Sequence, residues 1–191
     1  MKTRALIPLL AALVTASAAN SALAQPLLEG FLCCNMRTTG DWISDINYTD
    51  SGQRIVPLGS PTKVTGYGRH RVLVSIDGKR QAIGNDYSRD LSLEAFAKRY
   101  IVSEDPRVKL AAYPAKLRES IQGGRISRGM TREQVLMAVG YPITSENPSL
   151  DAATWRYWVS SFSEFQVSFD AAGRVAEVVA DPTLKRVVWN D

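Results

Sequence analysis

Histidine and cysteine are almost absent from this chain: 191 residues hold one His and two Cys. A Ser-His-Asp or Cys-His catalytic arrangement would have to run through His70, and a zinc site could draw only on His70, Cys33, Cys34 and carboxylates. No spacing among these residues supports either arrangement. Cys-x-x-Cys is missing too, which removes the usual oxidoreductase signature. No nucleophile, base and orienting group can be named together, so the expected protein is non-catalytic, with no cofactor and no metal. Excess charge is also small. Setting aside Lys2 and Arg4, 21 basic residues stand against 19 acidic ones, a net of +2, too little for a nucleic-acid binder.

Long hydrophobic runs are confined to the start. Residues 1–24 join a basic beginning at Lys2 and Arg4 to an apolar run from Ala5 to Val14 and close on Ala22-Leu23-Ala24. This is the pattern of a secretory signal peptide cut before Gln25. The run is far shorter than the ~20 residues of a membrane-spanning helix, so the mature chain is expected to lack a transmembrane segment. Lipidation on Cys33 is disfavoured because Leu32 occupies the place where a small residue is wanted. The expected location is therefore periplasmic or outer-membrane-associated, in an oxidising compartment.

Residues 25–105 carry the marks of a small antiparallel β domain. Short β-rich runs (Arg54 to Val56, Thr62 to Thr65, Arg71 to Ile76) alternate with turn signals at Asp50-Ser51-Gly52, Pro57-Leu58-Gly59 and Asp77-Gly78. Asp77-Gly78 predicts a tight hairpin, because both residues tolerate positive φ. Leu93, Phe96, Ala97, Tyr100 and Ile101 then recur at helical spacing behind an N-cap at Ser92, predicting a helix that closes the domain. Ser103-Glu104-Asp105-Pro106 marks the boundary.

Residues 106–191 predict a two-helix, three-stranded antiparallel module, making the whole chain α+β. Gly123-Gly124 should end the first helix. The second should start at Thr131 with Gln134 closing a capping box, and stop at Gly140 and Pro142. Trp155 to Val159, Phe165 to Phe169 and Arg174 to Ala180 follow as strands, the last two joined through Asp170-Ala171-Ala172-Gly173. The run Ile126 to Val135, with Gly140-Tyr141-Pro142 and Trp155-Arg156-Tyr157 after it, resembles the SmpA/OmlA (BamE-like) domain over residues 114–181. The resemblance implies an envelope domain that binds other proteins, in its best-known member as an accessory of outer-membrane β-barrel assembly. More distantly, Asn35-Met36-Arg37 and Pro57 to Pro61 are similar to bacterial SH3-like barrels, which implies cell-wall glycan or peptide binding as the alternative function.

Four groups of residues carry the remaining chemistry. Cys33 and Cys34 either form a vicinal disulfide or stay unbonded as small buried side chains on a strand, and the frequent burial of free Cys favours the latter. Asp41, Asp45, Asn47 and Asp50 lack the ligand alternation, glycine and terminal glutamate of a calcium loop, and fit turn and capping roles. Arg69-His70-Arg71 and Lys79-Arg80 fit a solvated hairpin rim rather than an anion site. On the first strand of the module, period-2 alternation turns Trp155, Tyr157 and Val159 inward and Arg156 and Trp158 outward. That makes Arg156 and Trp158 the candidate partner surface, unless a loop or the first domain covers Trp158.

Overall fold

The computed structural model describes residues 27–46, 54–160 and 162–190. The signal segment with its cut before Gln25, the Asp50-Ser51-Gly52 turn, Asn47 and Asp50 lie outside the described residues. The chain is mixed α+β, with a curled six-stranded sheet and five helices among those residues.

The sheet is built from β1 (Glu29–Leu32), β3 (Trp42–Ser44), β5 (Pro61–Gly68), β6 (Arg71–Ile76), β7 (Lys79–Gly84) and β8 (Ile101–Val102), while β2 (Met36–Thr38) pairs with β4 (Arg54–Val56) as a separate ribbon. Its order is β3-β7-β6-β5-β1-β8. The β6–β7 hairpin turns at Asp77 (φ 49°) and Gly78 (φ 76°), the two positive angles that a tight two-residue turn needs to match strand twist. Its first arm is the expected run Arg71 to Ile76, and its second begins directly after the turn, at Lys79. The sheet departs from the antiparallel expectation: β3 joins β7 in parallel register. No hairpin links these two strands, so nothing local forces opposite directions. Helix α1 (Leu93–Tyr100) starts on the Ser92 hydroxyl, which accepts from the Ala95 amide, and lays Phe96, Ala97 and Tyr100 into the core beneath the sheet.

The second half begins with α2 (Pro106–Ala111), capped by Asp105, and α3 (Ala115–Gln122). After β9 (Ile126–Ser127) comes α4 (Arg132–Val139), which has both bonds of the Thr131/Gln134 capping box. A meander of β10 (Thr154–Ser160), β11 (Ser163–Phe169) and β12 (Val175–Val179) follows. Helix α5 (Pro182–Val188) and β13 (Trp189–Asn190), which pairs in parallel with β9, complete the chain. Helices α2 and α5 and the β9–β13 pair go beyond the expected two helices and three strands. They are too short for periodicity to reveal them.

Two hydrophobic clusters form. One lies under the six-stranded sheet, around Leu32, Val64, Val72, Phe96 and Tyr100. The other lies between the helices and the meander, around Ile121, Val135, Trp155, Phe165 and Val167. Leu58 crosses over, packing in the second cluster although it follows β4. Trp155, Tyr157 and Val159 are buried and Arg156 and Trp158 are half-buried, so the alternation along β10 is the expected one.

Candidate functional site

The two halves meet around the short segment Cys33-Cys34-Asn35 between β1 and β2. The backbone is held on both sides: the Cys33 amide donates to the Tyr100 carbonyl at 2.9 Å, and the Asn35 amide donates to the Met137 carbonyl at 3.0 Å. β1 itself is pressed against β8, since a Cβ on Gly30 would lie 2.1 Å from the Val102 carbonyl oxygen. Only glycine allows that approach.

Asn35 is 4% exposed and joins three pieces of chain. Its Nδ2 donates to the carbonyls of Ile121 (2.5 Å) and Ala138 (3.2 Å), and its Oδ1 accepts from the Leu58 amide (3.0 Å). The contacts have a local cause. Helix α4 ends at Val139 with Gly140 at φ 80°, which leaves its last carbonyls without intrahelical donors, and Pro142, four residues beyond Ala138, has no N–H to offer in any case. Asn35 supplies that donor from the other half of the chain. In the sequence Asn35 stands out only within the distant SH3-like resemblance, which says nothing of a bond to α4, so only the assembled fold exposes this role.

Cys33 and Cys34 are disulfide-bonded, which corrects the expectation of two unbonded thiols. They sit in a bend and not on a strand, so their side chains are not sent to opposite faces. Burial separates them. Cys34 is 0% exposed in the cluster beneath the sheet, whereas Cys33 is only partly buried.

Cys33 forms part of the wall of a groove of about 830 Å³ between the two halves. Val102 and Tyr141 line it beside Cys33, α2 contributes Pro106 and Val108, and α4 contributes Leu136 and Met137. Val108 is 76% exposed, unusual for a β-branched apolar residue on a helix and explained here by its place in the groove mouth. The Tyr141 hydroxyl is held protonated above its ordinary range by burial, and its ring packs edge-on against Tyr100 at 5.8 Å. Charges sit on the rim. Lys109 bonds Glu133 across α2 and α4, which raises the pKa of the ammonium, and Arg107 grips Asp105, which lowers that of the carboxyl. Glu104 lines the same rim with no ion pair among the described residues. Exposed pairs of this kind contribute little to stability, but they set the charge a ligand meets.

The other candidates are dispersed. Arg156 pairs with Glu146 and Glu164, each at 3.3 Å. Its backbone amide and carbonyl are both bonded by the Asn147 side chain, which blunts the outer edge of β10. Trp158 lines a smaller cleft of about 220 Å³ with Ile46 and Tyr87, so residues of the first half stand beside it. Arg71 pairs with Asp86 at 2.8 Å and stacks over the Trp42 ring, while Arg69, Lys79 and Arg80 are exposed on the hairpin rim. Asp41 is exposed, but Asp45 is turned inward, its Oδ2 accepting from the Tyr87 amide and its Oδ1 left without a partner. Burial pushes the Asp45 carboxyl up to about 6, against backbone hydrogen bonds from Tyr87 and Asp86. No family model, curated protein or solved structure matches this chain.

Proposed function

We propose that this is a non-catalytic exported envelope protein that binds other proteins, its second half working as an SmpA/OmlA-like module and its first as an SH3-like partner to it. The observation that supports binding is the groove between the halves. Its volume falls in the range of ligand sites, and an apolar floor with a few charges at the mouth is the usual composition of such sites. The occupant is an extended apolar peptide segment flanked by a basic residue. The apolar wall of Val102, Leu136 and Met137 takes its side chains, and Glu104 on the rim faces its cation. A role in supporting outer-membrane protein assembly or envelope integrity follows from the resemblance of the module.

The test uses the mature chain and a synthetic peptide of alternating Leu and Val with a Lys at one end, read by fluorescence anisotropy. Leu136→Glu should weaken binding at least tenfold, and Glu104→Lys should weaken the Lys-ended peptide but not a neutral one. A photo-crosslinking residue at position 136 should capture the labelled peptide, and one at 158 should not. Capture at 158 alone would return the binding surface to Arg156 and Trp158. Sedimentation with purified peptidoglycan, without peptide binding, would replace this reading with cell-wall recognition.

A further inference from the structure

Nothing in the groove's shape requires one of its walls to be a disulfide. Yet Cys33, which lines it, belongs to a bonded pair whose other member is sealed in the core. We propose that the groove is a thiol-exchange site, in which a thiol or dithiol entering between α2 and α4 attacks Cys33 Sγ. The inference needs the groove only as a way in, and does not require a protein segment to bind there.

The step balances without another reagent. The incoming thiolate forms a bond to Cys33 Sγ, and the Cys33–Cys34 bond breaks with its electron pair leaving on Cys34 Sγ, which takes up a proton. The product is a mixed disulfide on Cys33 and a thiol at Cys34. With a dithiol, the second thiolate then attacks its own sulfur in the mixed disulfide and expels the Cys33 thiolate. Two electrons pass from the dithiol to the cysteine pair. The asymmetry of burial sets the order of events: Cys33 is partly exposed and Cys34 is fully buried. The anchors on either side do not depend on the sulfurs. Cys33 N–H stays on the Tyr100 carbonyl and Asn35 N–H on the Met137 carbonyl, so the two thiols remain neighbours after reduction and the pair can close again. Exchange is expected to be slow with a monothiol, because the leaving thiolate at Cys34 is generated away from water. It should be driven to completion by a dithiol.

The experiment treats the natively folded mature chain with glutathione or dithiothreitol, quenches in acid, and maps the adducts by mass spectrometry. The expected results are a glutathione adduct on Cys33 alone, two free thiols after dithiothreitol, and closure of the pair on reoxidation. Cys34→Ser should leave a Cys33 thiol that maleimide labels in the folded protein. Cys33→Ser should leave a Cys34 thiol that reacts at least tenfold more slowly until denaturant is added. Val108→Trp, at an exposed position, should crowd the groove mouth and slow the glutathione adduct severalfold without changing the melting curve. A first adduct on Cys34, or no reaction at either sulfur before unfolding, overturns the proposal. So does an unchanged rate in Val108→Trp, which would put the route of attack elsewhere. If Cys33 reacts as expected while the peptide fails to bind, thiol exchange stands and the protein-binding reading falls.

Discussion

Replacing Asn35 by Ala tests whether one side chain holds the two halves of the chain together. The Ala138 carbonyl then loses the donor that Pro142 cannot provide, and the Leu58 amide loses its acceptor. The Ile121 carbonyl keeps a second donor, the Gly124 amide at 2.9 Å, and is not orphaned. Two buried backbone groups left unsatisfied at about 1–3 kcal/mol each give an expected loss of about 3–4 kcal/mol. For a chain of this size that lowers the melting temperature by about 6–15 °C. Asn35→Asp should cost at least as much, since it keeps the bond from Leu58 but sets a charge against two carbonyls. Urea melts followed by both tryptophan fluorescence and far-ultraviolet circular dichroism provide the assay. Their transitions should also separate in Asn35→Ala, because the halves no longer unfold as one unit. A loss below about 1 kcal/mol with coincident transitions would refute the reasoning, and would mean that apolar packing around Leu58 carries the junction.

Asp45 makes stability depend on pH in the direction opposite to that of a salt-bridged acid. Its folded pKa of about 6 lies above the ordinary 3.8, so the folded state holds the proton more tightly and stability falls as pH rises from about 4 to about 6. Asp45→Asn should flatten that slope and raise stability at pH 8 by at most about 3 kcal/mol, as read from urea midpoints across the range. Thr131→Ala should cost about 1 kcal/mol through loss of the helix cap, and an unchanged midpoint would dissociate the capping box from stability. Trp155→Ala should cost about 3–5 kcal/mol, since the ring is fully buried and stacks edge-on against Phe169 at 4.7 Å. Trp158→Ala should cost clearly less, and equal losses would show that Ile46 and Tyr87 cover it completely. Intact mass of the exported protein should begin at Gln25, and a diacylglycerol mass on Cys33 would overturn both that start and the disulfide.

Local structure was legible wherever the residues themselves decide it. Ser92, Thr131 with Gln134, Asp77-Gly78 and the alternation from Trp155 to Val159 act through bonds or periods spanning a few residues, so their outcome does not depend on what packs against them. The parallel seat of β3 beside β7, the crossing of Leu58 into the second core and the union of Cys33 with Cys34 belong to the tertiary structure. Strand direction, core membership and the face a bend presents depend on chain segments distant in sequence. Asn35 shows the division most clearly. Pro142 announces in the sequence that the end of α4 will lack a donor, but a donor 103 residues away can be assigned only once folding has brought the two together. The groove is of the same kind: its walls come from β8, α2, α4 and the Cys33 bend, each unremarkable by itself, and it exists only as the space their packing leaves.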